Sequence, residues 1–190
     1  MTRKKYRCAW SEGHPLLLEY HDLEWGRPTH DDKRHYEFLV LEAAQAGLSW
    51  LTVLKKREGY RKLFLDFDFN QVAKFGKSEI KRFMKDASII RNELKIRSAI
   101  DNAKCFLEVR KEFGSFDKYL WRFVGGKPVV NHIRSIKEIP PNTALSDTVS
   151  KDLKKRGFRF VGTTVIYSHL QAVGVVNDHE NNCFRKNGKA

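Results

Sequence analysis

The chain has 190 residues, 41% hydrophobic and 12% aromatic, enough to bury a real core and to exclude a disordered chain. A net charge of +13, from 36 basic and 23 acidic residues, points to a polyanionic partner; nucleic acid ranks above a membrane surface, because neither end carries a basic amphipathic helix with a bulky apolar face. Three scattered cysteines do not make a disulfide framework and fit a reducing, cytoplasmic setting, no apolar run is long enough for a membrane span, and the basic start Met1–Cys8 lacks the apolar stretch of a signal peptide.

Taken in order, the pattern is mostly helical. Leu16, Leu17, Leu18 and Tyr20 begin a short helix that carries His21, with Trp10 and Trp25 on either side of it in sequence. Asp31 or Asp32 caps the next helix, whose Tyr36, Leu39, Val40 and Ala43 recur at three and four, with Phe38 and Leu41 widening the stripe. Glu42 lies inside this apolar run. Either it faces solvent, the commoner case, or it points into a pocket and needs a donor or a cation there. Gly47 ends the helix, and Leu48 can project from the junction. Ser49 caps a helix through Trp50, Val53 and Leu54. Trp10, Tyr20, Trp25 and Trp50 either fill core or line a stacking pocket around Glu42.

Ser78, Ile80, Phe83 and Met84 mark another helix. Leu94 to Phe113 is a long one that buries Ile96, Ala99, Ile100, Ala103, Phe106, Leu107 and Val109, with Cys105 as plain core. Phe116, Tyr119, Leu120 and Phe123 give a further helix. Gly125-Gly126-Lys127-Pro128 is a turn that can close a small hairpin with Val129 and Val130. Pro140-Pro141-Asn142 is the expected linker. Ser146 caps a helix that ends near Arg156, and a last helix runs from about Thr163 to Val173. The expected architecture is all-α, one domain over residues 1–190, with two helical lobes allowed.

Two features carry chemistry. The stretch Lys154-Lys155-Arg156-Gly157-Phe158-Arg159-Phe160-Val161-Gly162-Thr163-Thr164 joins two amphipathic helices through a basic turn with two glycines. Glycine permits close backbone approach to a phosphate, and the next helix offers free N–H groups and a positive dipole end. Gly157, Gly162, Lys154, Lys155 and Arg159 are therefore candidate DNA-backbone contacts of a helix–hairpin–helix element; an ordinary αα-corner remains the alternative. The second feature is a Cys₂His₂ set, Cys8 and His21 with His179 and Cys183, which matches a closed zinc shell. The last two are four apart, the spacing of one helical turn. A single ion would staple the two ends of the chain together. Neither half is a complete zinc-finger signature, so chance placement also stays open.

These segments in combination closely resemble the 3-methyladenine DNA glycosylase I family, of the helix–hairpin–helix DNA glycosylases. The motifs are Arg7-Cys8-Ala9-Trp10, Tyr20 to Gly26, Gln45 to Trp50, Leu54 to Glu58, Lys154 to Thr164 and Val176-Asn177-Asp178-His179. The resemblance implies an all-α fold, a structural zinc held by Cys8, His21, His179 and Cys183, and a monomer acting on double-stranded DNA that contains alkylated bases. It implies hydrolysis of the N-glycosidic bond of alkylated purines, chiefly 3-methyladenine, after the base is flipped out. Glu42, Tyr20 and Trp50 would form the base pocket, with Trp10 and Trp25 lining it. Leu48 would be the wedge that fills the gap in the stack. Methylation at N3 makes the purine cationic, so it stacks well on electron-rich rings and favours a fixed negative charge from Glu42. Asp178 falls where relatives in the wider superfamily carry a catalytic aspartate; alternatively it braces His179. Leu17 and Ala44 depart from the family pattern, which has a tyrosine one turn before Tyr20 and often a glutamine before Gln45. A zinc-stabilised DNA-binding module without catalysis is the alternative. A catalytic zinc would need an open coordination position, which four protein ligands close.

Overall fold

The computed structural model describes residues 5–186; residues 1–4, part of the basic N-terminal stretch, lie outside the described residues. A 3-10 turn, Ala9–Gly13, leads into α1 (Pro15–Leu23), α2 (Asp32–Gln45), α3 (Trp50–Leu63), α4 (Phe69–Val72) and α5 (Lys77–Phe83). Then come α6 (Glu93–Phe113), α7 (Phe116–Trp121), β1 (Val129–Val130), α8 (Ala144–Lys155), α9 (Thr163–Ala172) and β2 (Val176–Asn177). The expected helical architecture is present. No helix among the described residues is long and apolar enough to cross a membrane.

Local chemistry starts the helices where the sequence places them. Asp31 accepts from the Lys33 amide at 2.9 Å, and Ser49 from the Thr52 amide at 3.2 Å. The start of α8 differs from expectation. Thr143 is the cap, and Ser146 is its partner three residues on. The Thr143 hydroxyl accepts from the Ser146 amide at 3.2 Å, and the Ser146 hydroxyl accepts from the Thr143 amide at 2.9 Å. A short serine closes the box that glutamate usually closes.

Helix α2 is the central element. Every residue from His35 to Ala44 is buried, and the helix packs against α3, α6, α7 and α9. Each large apolar side chain buried this way stabilises the fold by about 1.5–3 kcal/mol. Across the same core, Phe106 of α6 stacks on Phe116 of α7 with ring centroids 4.3 Å apart. Buried side chains from Cys8 to Cys183 form one contiguous cluster. Leu107 and Cys105 are only half-buried on the outer side of α6, Cys105 lying under the turn at Gly157.

The expected hairpin at Val129 and Val130 does not form. These residues pair in parallel with the far end of the chain, Val129 with Val176 and Val130 with Asn177. The turn at Gly125-Gly126 follows a 3-10 turn, Arg122–Val124, so no strand precedes it to serve as partner. The Val129 amide donates instead to the Val175 carbonyl at 2.9 Å, and the Asn131 amide to the Asn177 carbonyl at 3.1 Å. This clamp holds residues 176–180 in place. His179 and Cys183 therefore sit in irregular backbone, His179 two residues past the end of β2 and Cys183 between two turns, not on the helical turn that their spacing suggests.

Candidate active site and metal centre

The Cys₂His₂ residues converge. Cys8, His21, His179 and Cys183 are all buried, and one ligand atom from each lies within 4.8 Å of all the others. The Cys8 sulfur is 3.4 Å from His179 Nδ1, and the Cys183 sulfur is 3.4 Å from His21 Nε2. The other ring nitrogens are engaged elsewhere. His21 Nδ1 lies 2.8 Å from the Asp22 carboxylate, which Arg7 grips, and His179 Nε2 lies 3.0 Å from the Trp25 carbonyl. That arrangement fixes the tautomer that presents one free nitrogen to a metal. The Glu180 and Arg185 amides donate to the Cys8 and Cys183 sulfurs at 3.3 and 3.4 Å, which favours thiolate character. The donor set fits a metal ion on chemical grounds. Gly26 is required beside it: its φ is +71°, and a Cβ there would lie 2.8 Å from the His179 ring.

The Cys/His cluster lies behind the aromatic side of a cleft. Trp25 packs edge-on against His179 with centroids 4.6 Å apart and against Trp10 at 5.0 Å. Tyr20, next to His21, sits 5.2 Å from Trp50. Trp10, Tyr20, Trp25 and Trp50 surround a cleft of about 270 Å³ with Glu42 in its wall. All four aromatics and the carboxyl are thus brought together, and the pocket alternative for Glu42 holds over the solvent-facing one. Glu42 is 4% exposed. Burial pushes its carboxyl up to about 8. Burial thus opposes the negative charge expected of Glu42, and a cation placed in the cleft would favour it. Burial, and then Glu42 and Glu24, also keep the Tyr20 phenol un-ionised.

Five further wall residues were given no role by the sequence reading: Gln45, at the end of α2, and four from later in the chain. Ile136 and Ile139 come from the segment before the Pro140-Pro141 linker, and Ser168 and Gln171 from α9. No local pattern marks them, although Ser168 and Gln171 interrupt an otherwise apolar helix. Leu17 and Ala44 are not among the wall residues, so the two departures from the family pattern act at a remove from the cleft.

Asp178 is not in the wall either. Its carboxylate is buried and takes hydrogen bonds from Asn131 at 2.7 Å, Tyr167 at 2.5 Å and Gln171 at 2.6 Å. Three donors hold this carboxylate in a fixed place, one to Oδ1 and two to Oδ2. It does not brace the His179 ring, which the Trp25 carbonyl does. Its contact with the cleft is through Gln171.

A buried ion cluster sets the helices that carry the cleft. Arg57 of α3 donates to Glu24 at 2.7 Å and to Glu37 at 2.8 Å, while Arg34 bridges both carboxylates. Burial opposes ionisation of Glu24, but Arg57 and Arg34 prevail and hold it below the ordinary carboxylate range. Arg34 and Arg57 flank the Phe38 ring at 5.0 and 5.4 Å. The available signal was Arg57 itself, a charge in the buried stripe Val53, Leu54, Arg57 and Tyr60.

The basic turn lies beside the cleft, since α9 runs from the turn to Ser168 and Gln171. Lys154, Lys155 and Arg159 are exposed and form no ion pair among the described residues. Arg156, by contrast, is spent on Glu112 at 2.6 Å and Asp152 at 2.7 Å. Gly157 has φ +91°, with Cys105 3.3 Å from where its Cβ would be, so packing of the turn requires it. A Cβ on Gly162, at the start of α9, would meet nothing within 4 Å. Leu48 is 41% exposed and lines a groove of about 180 Å³ that leads from Thr164 to Glu42.

Fold and site together define a helical protein with an aromatic, carboxyl-bearing cleft for a flat, electron-poor ring, next to a basic turn for a polyanion. The chain belongs to the methyladenine glycosylase family, whose model matches residues 10–186. It is 48% identical to DNA-3-methyladenine glycosylase 1 of Escherichia coli (strain K12), over 93% of this chain and 95% of that one. Its fold matches the solved 3-methyladenine DNA glycosylase I of Staphylococcus aureus at 36% identity and TM-score 0.91, covering 95% and 96% of the two chains. A variant of 3-methyladenine DNA glycosylase I solved in complex with 3-methyladenine is also 36% identical, with TM-score 0.92 and coverage of 95% and 97%.

Proposed function

We propose that the chain is a base-excision repair glycosylase that flips alkylated purines, chiefly 3-methyladenine, out of duplex DNA and hydrolyses their N-glycosidic bond. The observation that carries this reading is Glu42, a carboxyl buried among four aromatics beside a basic turn between two helices, in a chain of this family. N3-methylated adenine in DNA is cationic, and inside the cleft it stacks on Tyr20 and Trp50. Its charge favours the carboxylate form of Glu42, whose proton is lost to solvent water, and the carboxylate then accepts a hydrogen bond from the base edge. Neutral adenine provides no such gain. When the bond from the sugar C1′ to the purine breaks, the electron pair goes to the purine and cancels its charge. The base is therefore already a good leaving group, and water adds to the oxocarbenium at C1′. Such chemistry needs extrusion and selective binding more than a strong general acid.

In the same reading Leu48 is the wedge, and Lys154, Lys155 and Arg159, with the open approach at Gly162, hold the phosphates. The metal is a single zinc. Two thiolates and two imidazoles suit its softness and tetrahedral shell, and its role is structural, leaving the reaction to the cleft. The chain acts as one monomeric domain in the cytoplasm. Incubation with methylated duplex DNA tests the activity: free 3-methyladenine and abasic sites are expected. Tight DNA binding with no released base would instead identify a non-catalytic DNA-binding module. Metal analysis should find one zinc per chain.

A further inference from the structure

Lys95, in the first turn of α6, has an unusual place. Its ammonium donates to two backbone carbonyls of another element, Ala44 at 2.8 Å and Ala46 at 2.6 Å. It forms no ion pair with a carboxylate among the described residues, and burial lowers its pKa. Its own backbone is anchored, the amide donating to the Asn92 side chain at 3.1 Å. The two carbonyls lie at the C-terminal end of α2, where helices present unpaired acceptors and a negative dipole end, so a cation is well matched there.

The junction that it grips is the one between Glu42 and Leu48. Left to its own backbone the turn is only partly closed: the Ala46 amide reaches the Ala43 carbonyl at a long 3.4 Å, while Leu48 closes onto Gln45 at 2.6 Å. Leu48 then projects with 41% exposure into the groove shared with Thr164 of α9. A side chain that displaces a base must not recoil when stacking and pairing push back. Its own packing does not secure Leu48, so the turn beneath it has to.

We propose that Lys95 is a positioning residue for base extrusion: by tying the end of α2 to α6 it makes the Ala46–Leu48 turn a rigid mount for the wedge. This rests on the reading of Leu48 as the wedge. Lys95 touches neither the base nor the cleft, so its effect is confined to substrates that must be opened. A damaged base in single-stranded DNA needs no wedge; a paired one does.

The test is single-turnover excision of 3-methyladenine from duplex and from single-stranded DNA by Lys95→Met, which keeps the stem and removes the ammonium, and by Lys95→Gln in case the first does not fold. The duplex-to-single-strand rate ratio is expected to fall roughly tenfold or more, the scale at which misplacement of a working group is felt. Affinity for free 3-methyladenine, followed by tryptophan fluorescence, should change by less than about twofold. Equal losses on both substrates would overturn the proposal. So would a loss that appears as weaker duplex binding with a shallower salt dependence, which would make Lys95 a phosphate contact. Leu48→Ala in the same assay separates the two levels. If it leaves the duplex rate intact, the wedge reading is wrong; if it lowers that rate while Lys95→Met does not, the positioning role is wrong.

Discussion

Glu42 carries the largest chemical consequence of any single residue. Its carboxyl titrates at about 8 rather than the ordinary 4.5, so the folded state holds a proton that the unfolded chain has released. Stability from this group is therefore greatest at low pH and is lost as pH rises from about 4.5 through 8. Glu42→Gln removes the loss. Its gain over the parent should be near zero at the acid end and grow to about 5 kcal/mol above pH 8, roughly 10–20 °C in Tm for a chain of this size. The same variant should bind 3-methyladenine about tenfold to a hundredfold more weakly. Thermal melts across pH with a parallel base titration check both, and a pH-independent Tm difference would remove the buried-carboxyl account. Asp178 shows the opposite case. The superfamily resemblance offers it as a catalytic aspartate or as a brace, and in the fold three hydrogen-bond donors, one of them Gln171 of the cleft wall, hold its carboxylate.

At the scale of elements, α9 connects the two halves of the proposed reaction. It begins at the basic turn and ends at Ser168 and Gln171 in the cleft, so a phosphate grip at one end sets the reach of the other. Replacing Lys154, Lys155 and Arg159 together with alanine should weaken duplex binding whatever the sequence. It should also lower the slope of log affinity against log salt by roughly 2–3, about 0.9 for each phosphate no longer neutralised. Fluorescence anisotropy over a salt series measures this, with an unchanged slope counting against a phosphate role. Helix boundaries were legible because they rest on local chemistry, as at Asp31 and Ser49. The misplacement of the α8 cap is of the same local kind, since Thr143 and Ser146 hold each other and either residue alone looks like a cap. The pairing of Val129–Val130 was not legible, because its partner is more than forty residues away at Val176–Asn177.

In the whole molecule, the Cys8, His21, His179 and Cys183 cluster, the site proposed for a metal, brings residues near both ends of the chain together behind the cleft. Cys8 precedes Trp10, His21 follows Tyr20, and His179 holds Trp25 through its carbonyl. Removing the ion should therefore loosen the cleft as well as the fold. A strong chelator, or Cys8→Ala, should lower Tm by roughly 10 °C or more and shift the tryptophan emission to the red, because Trp10 and Trp25 lose their support. Calorimetry and fluorescence check this; an unchanged Tm after complete metal loss would make the cluster incidental. The helical class, the basic turn and the four Cys/His candidates were legible in the sequence itself, because capping, apolar period, charge and residue type are properties of the residues and their near neighbours; that the four converge was a matter of tertiary structure. Tertiary structure alone decided that Glu42 points inward, that Asp178 lies behind the wall, that Ile136 and Ile139 close the cleft, and that Lys95 grips α2. A periodic stripe says which face of a helix is buried, but not what it is buried against. That choice is made by close packing between segments far apart in the chain.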